Sequence, residues 1–142
     1  YIDENGNKAL PYIIHRTSLG CYERTLAYLI EEYAGALPLW MMPTQVRVLP
    51  ITDRCHDYAE KVVERLSDAG IRVEGDYRSE KLGYKIRDAQ MQKIPYMLVV
   101  GDKEAESGSV AVRTRAGGDE GVMSVDDFMA KCLKEIAEKV KN

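Results

Sequence analysis

Between Asp76 and Arg115 the chain reads DYRSEKLGYKIRDAQMQKIPYMLVVGDKEAESGSVAVRTR, and its best-equipped polar side chains gather here. Arg78 and Ser79 follow one apolar run, and Arg87 sits in a helix-like segment. Glu104 follows a second apolar run and Arg113 lies in an alternating third. A carboxylate accepts hydrogen bonds side by side, whereas a guanidinium donates them as a planar fork. The order of the elements brings Glu104 and Arg113 near one another at a sheet end, a surface able to meet the polar edges of a partner. Each has a plainer reading too. Arg87 would pair with Asp88 or Glu104 as a surface ion pair, Glu104 would decorate a loop, and Arg113 would face solvent.

These residues need a scaffold, and the flanking pattern supplies one. QVRVLPI (residues 45–51) reads as a strand, with Thr52 and Asp53 as N-cap candidates for a helix. Cys55, Tyr58, Ala59, Val62, Val63, Leu66 and Ala69 then recur at helical spacing, and Gly70 ends the run. IRVEG is a second strand and LGYKIRDAQMQK a short second helix. IPYMLVVG is a bounded apolar run, as in a strand covered on both faces. GDKEAESG is predicted as a tight charged loop and GSVAVRTR as an alternating strand, with Val110 and Val112 facing one way and Arg113 and Arg115 the other. GGDEGVM gives a last short edge strand. Ser124 caps a final helix, with Asp126 and Asp127 in its first turn. The fold class is therefore α/β: a mixed, mainly parallel five-stranded sheet flanked by three helices.

Upstream, residues 4–7 form a polar turn and Tyr12 to His15 a strand. Gly20 then precedes a helix through CYERTLAYLIEEYAG, with Leu26, Leu29, Ile30 and Tyr33 on one face and Gly35 as its stop. ALPLWMMPTQ, with prolines at 38 and 43, reads as a stiff extended connector in which Leu39, Trp40, Met41 and Met42 pin the helix to the next domain. The division falls near Pro43, giving residues 1–42 and 43–142.

The chain has 142 residues and a net charge of −3, which excludes a polycation that holds nucleic acid by bulk charge. A local basic face remains open: residues 78–115 carry eight Lys or Arg against five Asp or Glu. No apolar run is long enough to cross a membrane. Cys21, Cys55 and Cys132 lack CxxC spacing and are expected as buried free thiols on helices. There is no GxGxxG or Walker pattern, which disfavours a flavodoxin-like enzyme. The opening YIDENGNKAL, without an initiator Met, suggests a piece of a longer protein.

RSEKLGYKIRDAQMQKIPYMLVVGDKE followed by VAVRTR closely resembles the anticodon-binding domain of bacterial threonyl-tRNA synthetases. The resemblance extends over essentially the whole chain. The strand, the glycine and the helix of GCYER resemble motif 3 of the class II synthetases, so residues 1–42 read as a strand–helix remnant of a catalytic domain. The resemblance implies that Arg24 stacks on the adenine of ATP as a catalytic and cofactor-binding residue, and that His15, in IIHR, is one ligand of a catalytic zinc. His15 has no companion Cys or His at workable spacing here. Ser79, Arg87, Glu104 and Arg113 match the family positions that read anticodon bases. Unpaired bases expose edges that suit such a set. The family commonly has Asn where this chain has Ser79, so Ser79 either meets a base, through water if need be, or only caps a helix beginning at Glu80. Lys81 and Lys85, one turn apart, suit the tRNA backbone.

The expected partner is threonine tRNA, with no DNA and no membrane. The full-length parent is expected to be a cytoplasmic homodimer that activates threonine with ATP and magnesium, carries zinc, and charges the tRNA. The fragment is expected to be inactive, with no cofactor bound. The alternative is a stand-alone regulatory module that binds another RNA or a protein. Motif 3 argues against it, since a free module has no use for an adenine-stacking arginine.

Overall fold

The computed structural model describes residues 1–17, 20–116 and 118–141. Helix α1 (Tyr22–Glu32) comes first, followed by strand β1 (Val46–Pro50), a 3-10 turn (Asp53–Cys55) and α2 (His56–Asp68). Next are β2 (Val73–Gly75), α3 (Leu82–Met91), β3 (Tyr96–Val100) and α4 (Asp102–Ser107). Strands β4 (Ser109–Thr114) and β5 (Asp119–Ser124) and helix α5 (Val125–Glu138) complete the order. The strands form a single five-stranded sheet in the order β2-β1-β3-β4-β5. β1, β2 and β3 are parallel, β4 is antiparallel to β3, and β5 is antiparallel to β4. Four strands thus share one direction, which agrees with the mixed, mainly parallel sheet expected.

The helices sit as strand periodicity requires. Val46 and Val48 of β1, Tyr96, Leu98 and Val100 of β3, and Val110 and Val112 of β4 share one core with Ala59, Val62 and Leu66 of α2 and Phe128 and Cys132 of α5. The opposite face holds a smaller core. There Leu49, Met97 and Val99 meet Ala89 of α3, with Leu82, Ile86 and Ala111 packed against it. Two helices therefore cover one face and a single helix the other. The Ser124 hydroxyl caps α5 by accepting from the Asp127 N–H at 3.1 Å.

Several local expectations are corrected. GDKEAESG holds a fourth helix in the domain, α4, rather than a bare loop, so more than three helices flank the sheet. Its Glu104 carboxylate accepts the Gly101 N–H at 3.0 Å and satisfies a donor the helix start would otherwise leave free. Helix α3 begins at Leu82 with Lys81 in the N-cap position, so Ser79 caps nothing. Tyr12 to His15 form no strand: the segment is exposed, and among the described residues no second strand lies beside it. Cys21 is exposed at the start of α1, whereas Cys55 and Cys132 are buried.

The connector turns instead of extending. Pro38 O accepts the N–H groups of Met41 and Met42 at 2.9 and 3.0 Å, so the chain reverses over Pro38 to Met42. Leu39, 1 % exposed, enters the larger core. Polar side chains fasten the carbonyls around it: Gln45 Nε2 donates to Leu39 O, Arg72 to Trp40 O and Met42 O, and Arg115 Nη1 to Leu37 O. By contrast α1 buries no residue, and Leu26 and Ile30 on its apolar side are 53 % and 48 % exposed.

At the far edge, β5 carries an irregularity. Val112 pairs with Gly121 but Arg113 pairs with Asp119, so Glu120 is an extra residue, and Gly121 takes φ +82°, a region glycine enters freely.

Leu39→Ala should lower unfolding free energy by about 2–5 kcal/mol in a urea titration, because it empties a filled core site. Leu26→Ala should stay within about 0.5 kcal/mol. Similar losses for both would show that the connector is not part of the core.

Candidate nucleic-acid interface

The polar residues singled out in the sequence divide into two sets according to what already occupies them. Asp76 is buried, at 6 % exposure, just beyond β2. Its carboxylate accepts the Arg78 guanidinium through Nε at 2.9 Å and Nη2 at 2.6 Å. Arg78 Nη2 also donates to Asp88 Oδ2 on α3 at 2.7 Å. Asp88 lies 3.8 Å from Arg47, which in turn holds Glu74 at 2.8 Å. The hydrogen bond from Arg78 holds both Asp76 and Asp88 below the usual carboxylate range, and the two carboxylates keep Arg78 firmly protonated.

Lys85 departs from expectation. It is 3 % exposed, and its ammonium donates to Pro50 O at 3.2 Å and Asp76 O at 3.0 Å. It faces inward because α3 presents Leu82, Lys85, Ile86 and Ala89 to the sheet. Lys85 thus joins the ends of β1 and β2 and does not form a surface phosphate strap with Lys81. Arg115 is also occupied, by Leu37 O and Lys93 O, and burial lowers its pKa.

Ser79, Lys81, Arg87 and Arg113 form the second set. Ser79, Lys81 and Arg87 are exposed and Arg113 is half-buried. Among the described residues none of these four has a side-chain hydrogen-bond or ion-pair partner. Ser79 and Lys81 border a cleft of about 260 Å³ with Thr52, Asp53 and His56, at the carboxyl ends of β1 and β2. Arg113 is opposite Met97 in the antiparallel pair, so its side chain emerges on the face that carries α3. Beyond α3 that face is open, and Val122 of β5, opposite Ala111, is 60 % exposed.

Glu104 and Arg113 do not meet at one sheet end. Arg113 pairs with Met97, three residues before Val100, whereas Glu104 follows that strand's carboxyl end. The offset is roughly 10 Å along the strand. A partner would have to span from the strand ends down across the open face, as successive nucleotides do. The sequence places Arg78 in the candidate site but does not show its clamp, because Asp88 is ten positions away and only the fold reveals the pairing. Nor does it find the open β4–β5 face, for which alternation in DEGVMS is the one faint signal.

The amino-terminal candidates stay apart from this region. Arg24 is exposed on α1 and folds back over Gly20, where a Cβ would lie 2.7 Å from its Nη1. His15 is exposed, and among the described residues no group of three His, Cys, Asp or Glu is placed to hold a metal. Zinc needs about three protein ligands, so the residues present do not fit one.

Residues 45–135 match the family model described as the anticodon binding domain. The chain belongs to that anticodon-binding domain family. It is 59 % identical over 139 residues to a threonine–tRNA ligase of Clostridium botulinum (strain Eklund 17B / Type B), covering 98 % of this chain and 22 % of the ligase. A threonine–tRNA ligase of Symbiobacterium thermophilum is 58 % identical, with 98 % and 21 % covered. The chain therefore spans about a fifth of the length of these relatives. Among solved structures, the RNA binding domain of threonyl-tRNA synthetase from Cryptosporidium parvum Iowa II superposes with a TM-score of 0.75 at 34 % identity, covering 79 % of this chain and 28 % of that one. A prolyl-tRNA synthetase from Cryptosporidium parvum gives 0.61 at 26 % identity, covering 68 % of this chain and 21 % of that one. The mixed sheet of this anticodon-binding domain is thus shared with a second synthetase type.

The clamp has a pH signature. Asp76 and Asp88 bind protons less readily folded than unfolded, so their contribution is present above the unfolded carboxylate range of about 4, and is lost as pH falls through their lower native values. Arg78→Ala should flatten the fall in stability below about pH 4. Urea titrations at acid and neutral pH would test this, and an unchanged acid limb would remove the clamp from the pH response.

Proposed function

We propose that this chain is the carboxyl-terminal part of a threonine–tRNA ligase and that it recognises the anticodon loop of threonine tRNA. The observation that carries this reading is the open β4–β5 face, with Arg113 on it and Arg87 on the adjoining helix, neither with a side-chain partner among the described residues. Most other arginines of the domain are engaged in internal ties. A guanidinium offers its fork to the O6 and N7 acceptors of guanine or to a uracil carbonyl. Glu104, at the head of α4, accepts from an exocyclic amine or ring N–H. Ser79 and Lys81, at the neighbouring strand ends, meet a base edge and a backbone phosphate. Lys81 thus positions the RNA, while Arg87, Glu104 and Arg113 read it.

The wider reading concerns the parent. Threonine would be activated with ATP and magnesium, with Arg24 against the adenine and His15 contributing one zinc ligand to a site completed elsewhere in the parent. That parent would act as a cytoplasmic homodimer. The exposed apolar side of α1 supports this reading, since Leu26 and Ile30 lack the cover that a larger domain would give.

Binding of this chain to an anticodon stem-loop tests the proposal. Arg113→Ala should cost about 1–3 kcal/mol on the cognate anticodon and little on RNAs with a changed anticodon base. Lys81→Ala should weaken every RNA alike and reduce the salt slope by about one. Equal losses across all RNAs from Arg113→Ala would remove it from base reading.

A further inference from the structure

We propose that Arg78 and Lys85 are positioning residues: they hold the loop Asp76–Lys81 in the shape that presents Ser79 and Lys81 to a nucleotide, without touching it themselves. This rests on the RNA reading above and deepens it by separating residues that contact from residues that preorganise. The loop has little main-chain support of its own. Asp76 N–H extends the sheet by donating to Val48 O at 2.9 Å, and Glu80 N–H donates to Arg78 O at 2.8 Å.

Side chains supply the remaining restraint, and two of them come from α3. Asp88 holds the outer side of the loop through Arg78 Nη2, and Gln92 Nε2 steadies the same Asp88 oxygen at 3.2 Å. Lys85, three positions earlier on α3, holds the inner side through Asp76 O and reaches across to Pro50 O at the end of β1. Both the carboxylate and the carbonyl of Asp76 are thus taken, one from above and one from below. The Arg78 main-chain N–H also donates to Asp76 Oδ1 at 3.2 Å, closing a tight turn. The Tyr84 ring lies 5.8 Å from the guanidinium and backs it.

The same contacts argue against direct RNA binding by this pair. Arg78 is half-exposed, but its guanidinium already lies against two carboxylates. A phosphate approaching it would meet their negative charge as well as its positive charge. Lys85 is shut in beneath the loop. Ser79 and Lys81, between and just after these anchors, line the cleft beside His56 and Thr52. Arg78 and Lys85 border it too, but their donors are already taken by protein oxygens, whereas among the described residues Ser79 and Lys81 have no side-chain partner. Rigidity of this kind raises affinity by removing the cost of ordering the loop on binding.

The experiment combines amide exchange on the free 142-residue chain with stem-loop binding at about 50 and 200 mM salt. The variants are Arg78→Ala, Lys85→Met and Asp88→Asn, with Lys81→Ala and Ser79→Ala as contact controls. Arg78→Ala and Lys85→Met should speed exchange at Ser79 and Glu80. They should weaken cognate binding roughly tenfold and leave the salt slope unchanged. Asp88→Asn removes charge while keeping shape, and should give a smaller change of the same kind should Lys85→Met fail to fold. A slope reduced by about one in Arg78→Ala would make it a phosphate contact and overturn the proposal. So would unaltered exchange in all three variants. Faster exchange with no RNA binding by any form of the chain would uphold the bracing of the loop while rejecting the RNA reading.

Discussion

One helix cannot roof five strands, and the shape of this molecule is a consequence of that constraint. Strands lie about 4.8 Å apart, so five span roughly 19 Å, while a helix with its side chains is about 10 Å across. On one face the chain supplies two helices, α2 and α5, and the large core is closed from β2 to β5. On the other face α3 alone covers the central strands. The remaining strip of β4 and β5 stays bare, and alternation places Arg113 and Val122 on it. The proposed recognition surface is thus what remains when the apolar faces have been matched with too few helices.

Charge is distributed to suit. A chain of net charge −3 has no surplus of cations, so where each one is used matters more than how many there are. Arg47, Arg72, Arg78, Arg115 and Lys85 fasten strand ends, the connector and one loop by binding carboxylates or carbonyls. Arg113 is left on the open face and Lys81 beside the cleft. Selective recognition is expected from such an arrangement, because a few directed forks discriminate where a diffuse positive field does not.

Much of the scaffold is legible in the residues. The apolar runs of β1 and β3, the helical spacing of α2, and the Ser124 cap all state their local structure directly. What the sequence hides is mostly relational. Asp88 and Arg78 pair only because α3 lies beside the β2 loop, and the β3–β4 register separates Glu104 from Arg113. Lys85 looks like a surface lysine until the helix phase turns it inward to two carbonyls. GDKEAESG looks like a loop since a six-residue helix has too little pattern to detect, and only the Glu104–Gly101 bond marks its start. Tyr12 to His15 carry a strand pattern, but among the described residues no strand lies beside them to pair with.

The extra residue at Glu120 has a consequence for how such domains meet one another. A last strand with an even comb of amides invites a neighbour to zip alongside, the first step toward fibrils. Here the teeth fall out of step midway, and Gly121 skews the backbone where a newcomer would need it straight. Side-on stacking is discouraged, so this domain can stay crowded among its own kind in a cell and still offer its broad side to a visitor.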